Sequence, residues 1–209
     1  MLKRTTGRLL LALLVITGLA GTLNNSSLSQ KERKQAISLI KSSKAEIFSS
    51  LNGLSKAQIN YKPSPKEPSI GELVMKMVML EKLCNDEIKA HMNEPSNSET
   101  RLKIALTDDQ LLANNNYSLC KGELAEKSKN MLKDPEEALR KFSIMRNNQI
   151  KYIRTSTEDL RNHVLSTPAG WIDCYQYYLL LADRSSYVAE RINKIKRLPS
   201  FIVIKQILR

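Results

Sequence analysis

The sequence predicts an all-α protein: a four-helix bundle with long connections and an apolar C-terminal tail. Three observations carry that prediction. Only 5% of the 209 residues are aromatic and only 7 are glycine, a balance that suits helices better than a sandwich or barrel. Four long segments place apolar residues on a helical stripe. Several of those segments open on helix-start chemistry.

In chain order, residues 31–51 carry apolar side chains at 36, 37, 40, 47, 48 and 51, which defines the first helix, and Asn52-Gly53 stops it. The stretch "INYKPSPKEPS" then places three prolines within six residues, which no helix interior tolerates. Ser69 opens the second long helix with a capping box, its hydroxyl bonding the Glu72 amide and the Glu72 carboxylate reaching back. Ile70, Leu73, Val74, Met77, Glu81, Cys84 and Ile88 form one face running to about Met92. Thr107 and Gln110 repeat the capping-box spacing, so a short helix is expected there, with another over Leu124–Leu132.

Asp134-Pro135 supplies an N-cap acceptor followed by proline at the first helical position. The third long helix should run through "PEEALRKFSIMRNNQIKYIRT", with acids early and bases late, as the macrodipole favours. Residues 157–164 read as a linker or extra turn closed by "STPAG". The last helix is expected from near Trp171 to Arg197, with Pro199 ending it.

Ahead of the bundle, "MLKRTTGRLLLALLVITGLAG" has a basic head, an apolar centre and the small-residue site Gly18-Leu19-Ala20. That is the layout of a secretory signal peptide, and its apolar run is short for a membrane span of about 20 residues. The expected organisation is a signal peptide over 1–20, a linker over 21–30, a bundle over 31–200 and a tail over 201–209. The protein is then exported, to a periplasm or beyond the cell; an uncleaved N-terminal anchor is the alternative.

Loss of Lys3, Arg4 and Arg8 would lower the net charge from +12 to +9. Such a surplus can attract an anionic envelope surface, but the basic residues are dispersed and nucleic acid is a poor match for an exported chain. The charge reads first as a solvated surface. Cys84, Cys120 and Cys174 allow three pairings, and the sequence does not choose among them. There is no CxxC motif. His91 and His163 are the only histidines and have no spaced partners.

The segments "INYKPSPKEPSIGELVMKMVMLEK" at 59–82 and "GWIDCYQYYLLLADRSSYVAERINKIKRLP" at 170–199 resemble the DinB-like (DinB/YfiT) superfamily. The resemblance rests on the Tyr-x-Pro turn, the Ser-Ile helix start, Glu72 and Glu81. It also rests on an aromatic-rich last helix with Ile195, Lys196 and Pro199, and it covers roughly residues 31–200. It implies a metal-binding bundle whose typical members, several of them thiol-dependent transferases, supply three histidines. One comes from the second helix and two, at i and i+4, from the last. At the matching positions this sequence has Lys76, Asp183 and Tyr187.

An ammonium has no lone pair to donate, and a neutral phenol is a poor ligand, so one carboxylate would remain of the donor set. The resemblance therefore implies a bundle without the family's metal site and with no cofactor. We expect Lys76 and Asp183 to pair across the cleft, with Tyr187 hydrogen-bonded to them. A surface lysine over an apolar stem is the competing expectation. Glu72, Leu80, Tyr175 and Tyr178 are the other candidates for lining that cleft. Glu72 and Glu81 lie nine residues apart, about 13 Å of helical rise. They cannot converge on one atom, and Glu81 is expected to meet a base on a neighbouring helix.

The function expected from this reading is non-catalytic binding of a small ligand or a protein partner, with a homodimer as one form of partner. The alternative is a DinB-like transferase or hydrolase with an altered site.

Overall fold

A computed structural model describes residues 27–113 and 134–202. The signal-peptide assignment over 1–20, Cys120, the helix expected over Leu124–Leu132 and residues 203–209 of the tail lie outside them.

Four long helices form the bundle. Helix α1 spans Gln30–Leu51; α2 is a single turn, Lys56–Ile59; α3 spans Ile70–Met92. A 3-10 segment, Ser98–Lys103, and the short α4, Asp108–Ala113, follow. Helix α5 spans Pro135–Thr155. The chain then makes a hairpin of β1, Val164–Thr167, and β2, Gly170–Asp173, before α6, Cys174–Lys196.

The start signals act as the chemistry requires. The Glu72 amide donates to Ser69 Oγ at 3.1 Å, and the Ser69 amide donates to Glu72 Oε2 at 2.8 Å. Thr107 and Gln110 exchange the same two bonds at 2.9 and 3.3 Å. Asp134 accepts from the amides of Glu136 and Glu137, ahead of Pro135, whose missing N–H costs nothing at that position.

The core has two halves, and they reveal the helix directions. One half gathers Ala36 and Ile40 of α1, Cys84 and Ile88 of α3, Ile153 of α5 and, from α6, Cys174, Tyr175 and residues 177–182. The other gathers Ile47, Leu73, Val74, Met77, Phe142, Val188 and Ile192. The starts of α1 and α6 thus lie beside the ends of α3 and α5, giving an up-down-down-up order. The neighbouring pairs are α1–α6, α3–α5, α1–α5 and α3–α6. Helices α3 and α5 run the same way, which short loops cannot arrange and the long connection over 93–134 can. Their starts touch at Gly71, where a Cβ would lie 2.9 Å from Pro135 Cγ and 3.1 Å from Ile59 Cγ2.

The hairpin corrects one expectation. Trp171 is a strand residue facing Ser166 in the pairing register. The last helix begins three residues later, where Asp173 accepts from the Gln176 amide at 2.7 Å and the Gln176 side chain returns to the Asp173 amide. "STPAG" is the hairpin turn, closed by Gly170 at φ 101°, a left-handed conformation that glycine adopts without strain. The side chain of Asn97 brackets Val164, donating to its carbonyl and accepting from its amide at 2.8 Å each.

Beyond α6, a further helical turn at 199–202 buries Phe201, whose ring meets Tyr61 edge-on at 5.3 Å. The described start of the tail therefore packs on the bundle. Among the described residues no helix is long and apolar enough to cross a membrane.

Candidate functional site

The middle of the bundle holds a buried polar network. Helix α3 turns Met77, Glu81, Cys84 and Ile88 inward. Helix α5 turns in Ala138, Phe142, Arg146, Gln149 and Ile153 at spacings of three and four. A glutamate and an arginine thus stand where the pattern calls for apolar side chains. Arg146 is fully buried and Glu81 is 2% exposed, with Arg146 Nε 3.0 Å from Glu81 Oε1.

From α6, the Leu181 carbonyl and Ser185 Oγ accept from Arg146 Nη2 at 2.8 and 2.6 Å. Gln149 links both charges: its amide donates to Glu81 Oε1 at 3.2 Å and its carbonyl accepts from Arg146 Nη1 at 3.3 Å. The network is incomplete. The Nε hydrogen is not aligned on Oε1 despite the short distance, so the pair is held there by charge alone, and Glu81 Oε2 has no hydrogen-bond partner. Burial pushes the Glu81 carboxyl up to about 7, although Arg146 and Gln149 pull it down. Burial likewise lowers Arg146. The expectation that Glu81 meets a base on a neighbouring helix holds. Arg146 itself was legible as a charge on the α5 stripe.

A second cluster closes the end of the bundle where α1 and α6 begin. Arg161 donates to both oxygens of Asp108 at 2.9 and 2.6 Å, to Asp173 at 3.0 Å and to Glu32 at 2.8 Å. Its guanidinium lies 4.1 Å from the centre of the Tyr175 ring. This clasp ties the α1 start, α4 and the α6 cap together. Burial works against Asp108 and Glu32, but hydrogen bonds, to Arg161 and for Glu32 also to Ser29, hold both carboxyls below their usual range. Asp173 is raised, because burial outweighs Arg161 there.

The third feature is a groove along α3 and α5. A cavity of about 380 Å³ is bounded by residues including Asn85, Met92, Asn148, Tyr152, Glu158 and Tyr178. Beside it a cavity of about 320 Å³ is bounded by Val78, Met79, Lys82, Lys141, Ile144 and Met145 among others.

The structure does not join the three residues at the positions matched to metal ligands. Lys76 is exposed on α3, and among the described residues no ion pair or hydrogen bond links it to Asp183. Asp183 is half-buried; burial raises its carboxyl, Arg184 works against this, and Glu46 adds to it. Tyr187 is 38% exposed with the Arg184 guanidinium 5.0 Å from its ring centre.

The physical reason lies in α6. Its first half is buried all round, and at mid-helix Leu181 and Ser185 are the i, i+4 pair that meets the central charge. Asp183 and Tyr187 project elsewhere. The expected ion pair is therefore replaced by Glu81–Arg146, whose cation comes from α5.

Of the other candidates, Glu72 is a cap and bridges Lys62 at 2.8 Å, away from either cavity. Leu80 packs against the core. Tyr175 donates to the Glu32 carbonyl at 3.0 Å. Tyr178 alone lines the groove. Both ring nitrogens of His163 face carbonyl oxygens, of Asp159 and Glu94, and His91 Nδ1 lies 3.3 Å from Glu94. Cys84 and Cys174 are buried and form no disulfide with each other. Among the described residues no three His, Cys, Asp or Glu side chains group to hold a metal ion.

These features define a class: a four-helix bundle with a buried charge pair at its centre. Its fold is similar to that of YfiT from Bacillus subtilis, described as a probable metal-dependent hydrolase with an unusual four-helix bundle topology. The TM-score is 0.51 at 13% sequence identity, over 82% of this chain and 89% of that one. At that identity the likeness is one of fold. No family model and no curated protein matches the sequence.

Proposed function

We propose that the protein is an exported DinB-like bundle that works without the family's metal centre and binds a small ligand in the α3–α5 groove. The observation that carries this reading is the fate of the bundle's interior. The residues at the metal-ligand positions are an exposed lysine, a half-buried aspartate and an exposed tyrosine. Among the described residues no ion pair or hydrogen bond joins them, and they offer one good donor among them. The interior cation is instead a guanidinium, fixed by α6 through Leu181 and Ser185. Such a set offers too few donors to hold a metal-bound water. What remains is a concave surface of amides, methionines and tyrosines in the volume range of small-molecule sites.

The test is metal content and its effect on folding. Protein purified without a metal-affinity step should carry far less than one equivalent of zinc, nickel or iron after gel filtration, and EDTA should leave its melting temperature unchanged. One retained equivalent, with a melting temperature that falls on chelation, would overturn the reading and favour a metal-dependent hydrolase. Export is tested separately, by fractionation and by sequencing the mature N-terminus.

A further inference from the structure

We infer that the groove between α3 and α5 takes a single-chain amphiphile bearing one negative charge, in kind a medium-chain fatty acid. This rests on the ligand-binding reading above and names its ligand class.

The two cavities share Asn85, Lys89 and Met145, so they form one continuous groove. One half is walled by Val78, Met79, Ile144 and Met145. Ile144 is 60% exposed, a large apolar side chain left facing water on the groove wall. Methionine walls adapt to an unbranched chain. The other half presents the carboxamides of Asn85, Asn93 and Asn148, donors suited to a carboxylate.

Charge selects the head group. Three lysines line the groove. Lys82 is neutralised by Asp86 at 2.6 Å and Lys141 by Glu137 at 2.7 Å. Lys89, where the two cavities meet, forms no ion pair among the described residues. The remaining charge on the walls is Glu158, which already accepts from the Tyr152 hydroxyl. One uncompensated ammonium matches one carboxylate. A doubly charged phosphate would leave a charge unmatched and face Glu158, and a cationic head would be repelled by Lys89.

Calorimetric titration of the purified protein with laurate, dodecanol and dodecyltrimethylammonium, each below its aggregation threshold, tests this. Laurate should bind at one equivalent, tighter than dodecanol, with the cation weakest. Shortening laurate to decanoate should weaken binding by up to about fourfold per methylene. Lys89→Gln, an exposed change whose melting curve should match the parent, should weaken laurate about tenfold and leave dodecanol unchanged. Ile144→Asp should weaken both.

Equal affinity for laurate and dodecanol, with no effect of Lys89→Gln, would overturn the anionic head and leave the ligand-binding reading standing. Indifference of both ligands to Ile144→Asp, or binding at several equivalents, would overturn the groove as the site. No binding of any of the three overturns the inference, whereas the ligand-binding reading falls on the metal result.

Discussion

Two arginines leave the surface of this bundle, and they are received differently. Arg161 meets three carboxylates and an aromatic face at a half-closed end, every contact in good hydrogen-bonding geometry. Arg146 goes deeper and meets one carboxylate, a carboxamide, a hydroxyl and a carbonyl. At the clasp, partners hold Asp108 and Glu32 below their usual range. At the centre, burial prevails and drives Glu81 up. Pairing chemistry is the same in both places, and the balance of burial against aligned partners decides the sign. The deeply buried Asp173, raised although Arg161 and the Gln176 amide both donate to it, shows the same balance inside the clasp. Where partners run short, desolvation wins.

The largest effect should follow from breaking the central pair. Arg146→Met should cost about 3–5 kcal/mol, because it leaves Glu81 buried without its counter-charge. Adding Glu81→Leu should recover most of that loss, since apolar replacement of a whole buried pair is often neutral. Urea denaturation of the single and double variants measures the contrast; equal losses would show that the pair is not the source.

The next effect concerns pH. The Glu81 carboxyl is raised in the folded state, to about 7 against an ordinary 4.5. The folded protein then holds this proton more tightly than the unfolded chain. Its contribution to stability is fully present below about 4.5 and is lost as pH rises through about 7, with a slope of at most about 1.4 kcal/mol per pH unit. Glu81→Gln should remove that component from a stability–pH profile.

The clasp should give a smaller loss and one acid slope of opposite sign. Arg161→Ala should cost about 2 kcal/mol, the partly exposed site softening the penalty of unpaired charge. Because Asp108 and Glu32 are depressed, their contribution is present above about pH 4 and is lost as pH falls through their folded values. Asp173, which is raised, works against this. Acid titration of the parent and the variant, followed by circular dichroism, should show a shallower decline in the variant.

Much of the fold was legible because it is written locally. Ser69 with Glu72, Thr107 with Gln110, and Asp134 with Pro135 announce helix starts that the structure keeps. The hairpin was not legible. Its strands are four residues long, and Pro168 sits in the turn, where it reads as a loop. The local mark of where strand gives way to helix is the Asp173–Gln176 capping box, two residues beyond Trp171.

The site was half legible. Glu81 stands out on the α3 stripe and Arg146 on the α5 stripe, but that the two meet depends on how the helices pack, which no local signal encodes. The orientation of α6 was hidden for another reason. Residues 174–182 are buried on every side, so periodicity cannot say which face meets the centre; the pair that reaches the central charge is Leu181 and Ser185.

The parallel course of α1 and α6 has a mechanical consequence. The chain enters the bundle at one end, at Gln30, and leaves α6 at the other, at Lys196, with a 22-residue helix or about 33 Å between the two ends. A tether before Gln30 would hold the C-terminal turn at the far pole. Tension applied between the two termini would slide α1 along α6 in shear, loading their shared contacts together instead of peeling them one by one.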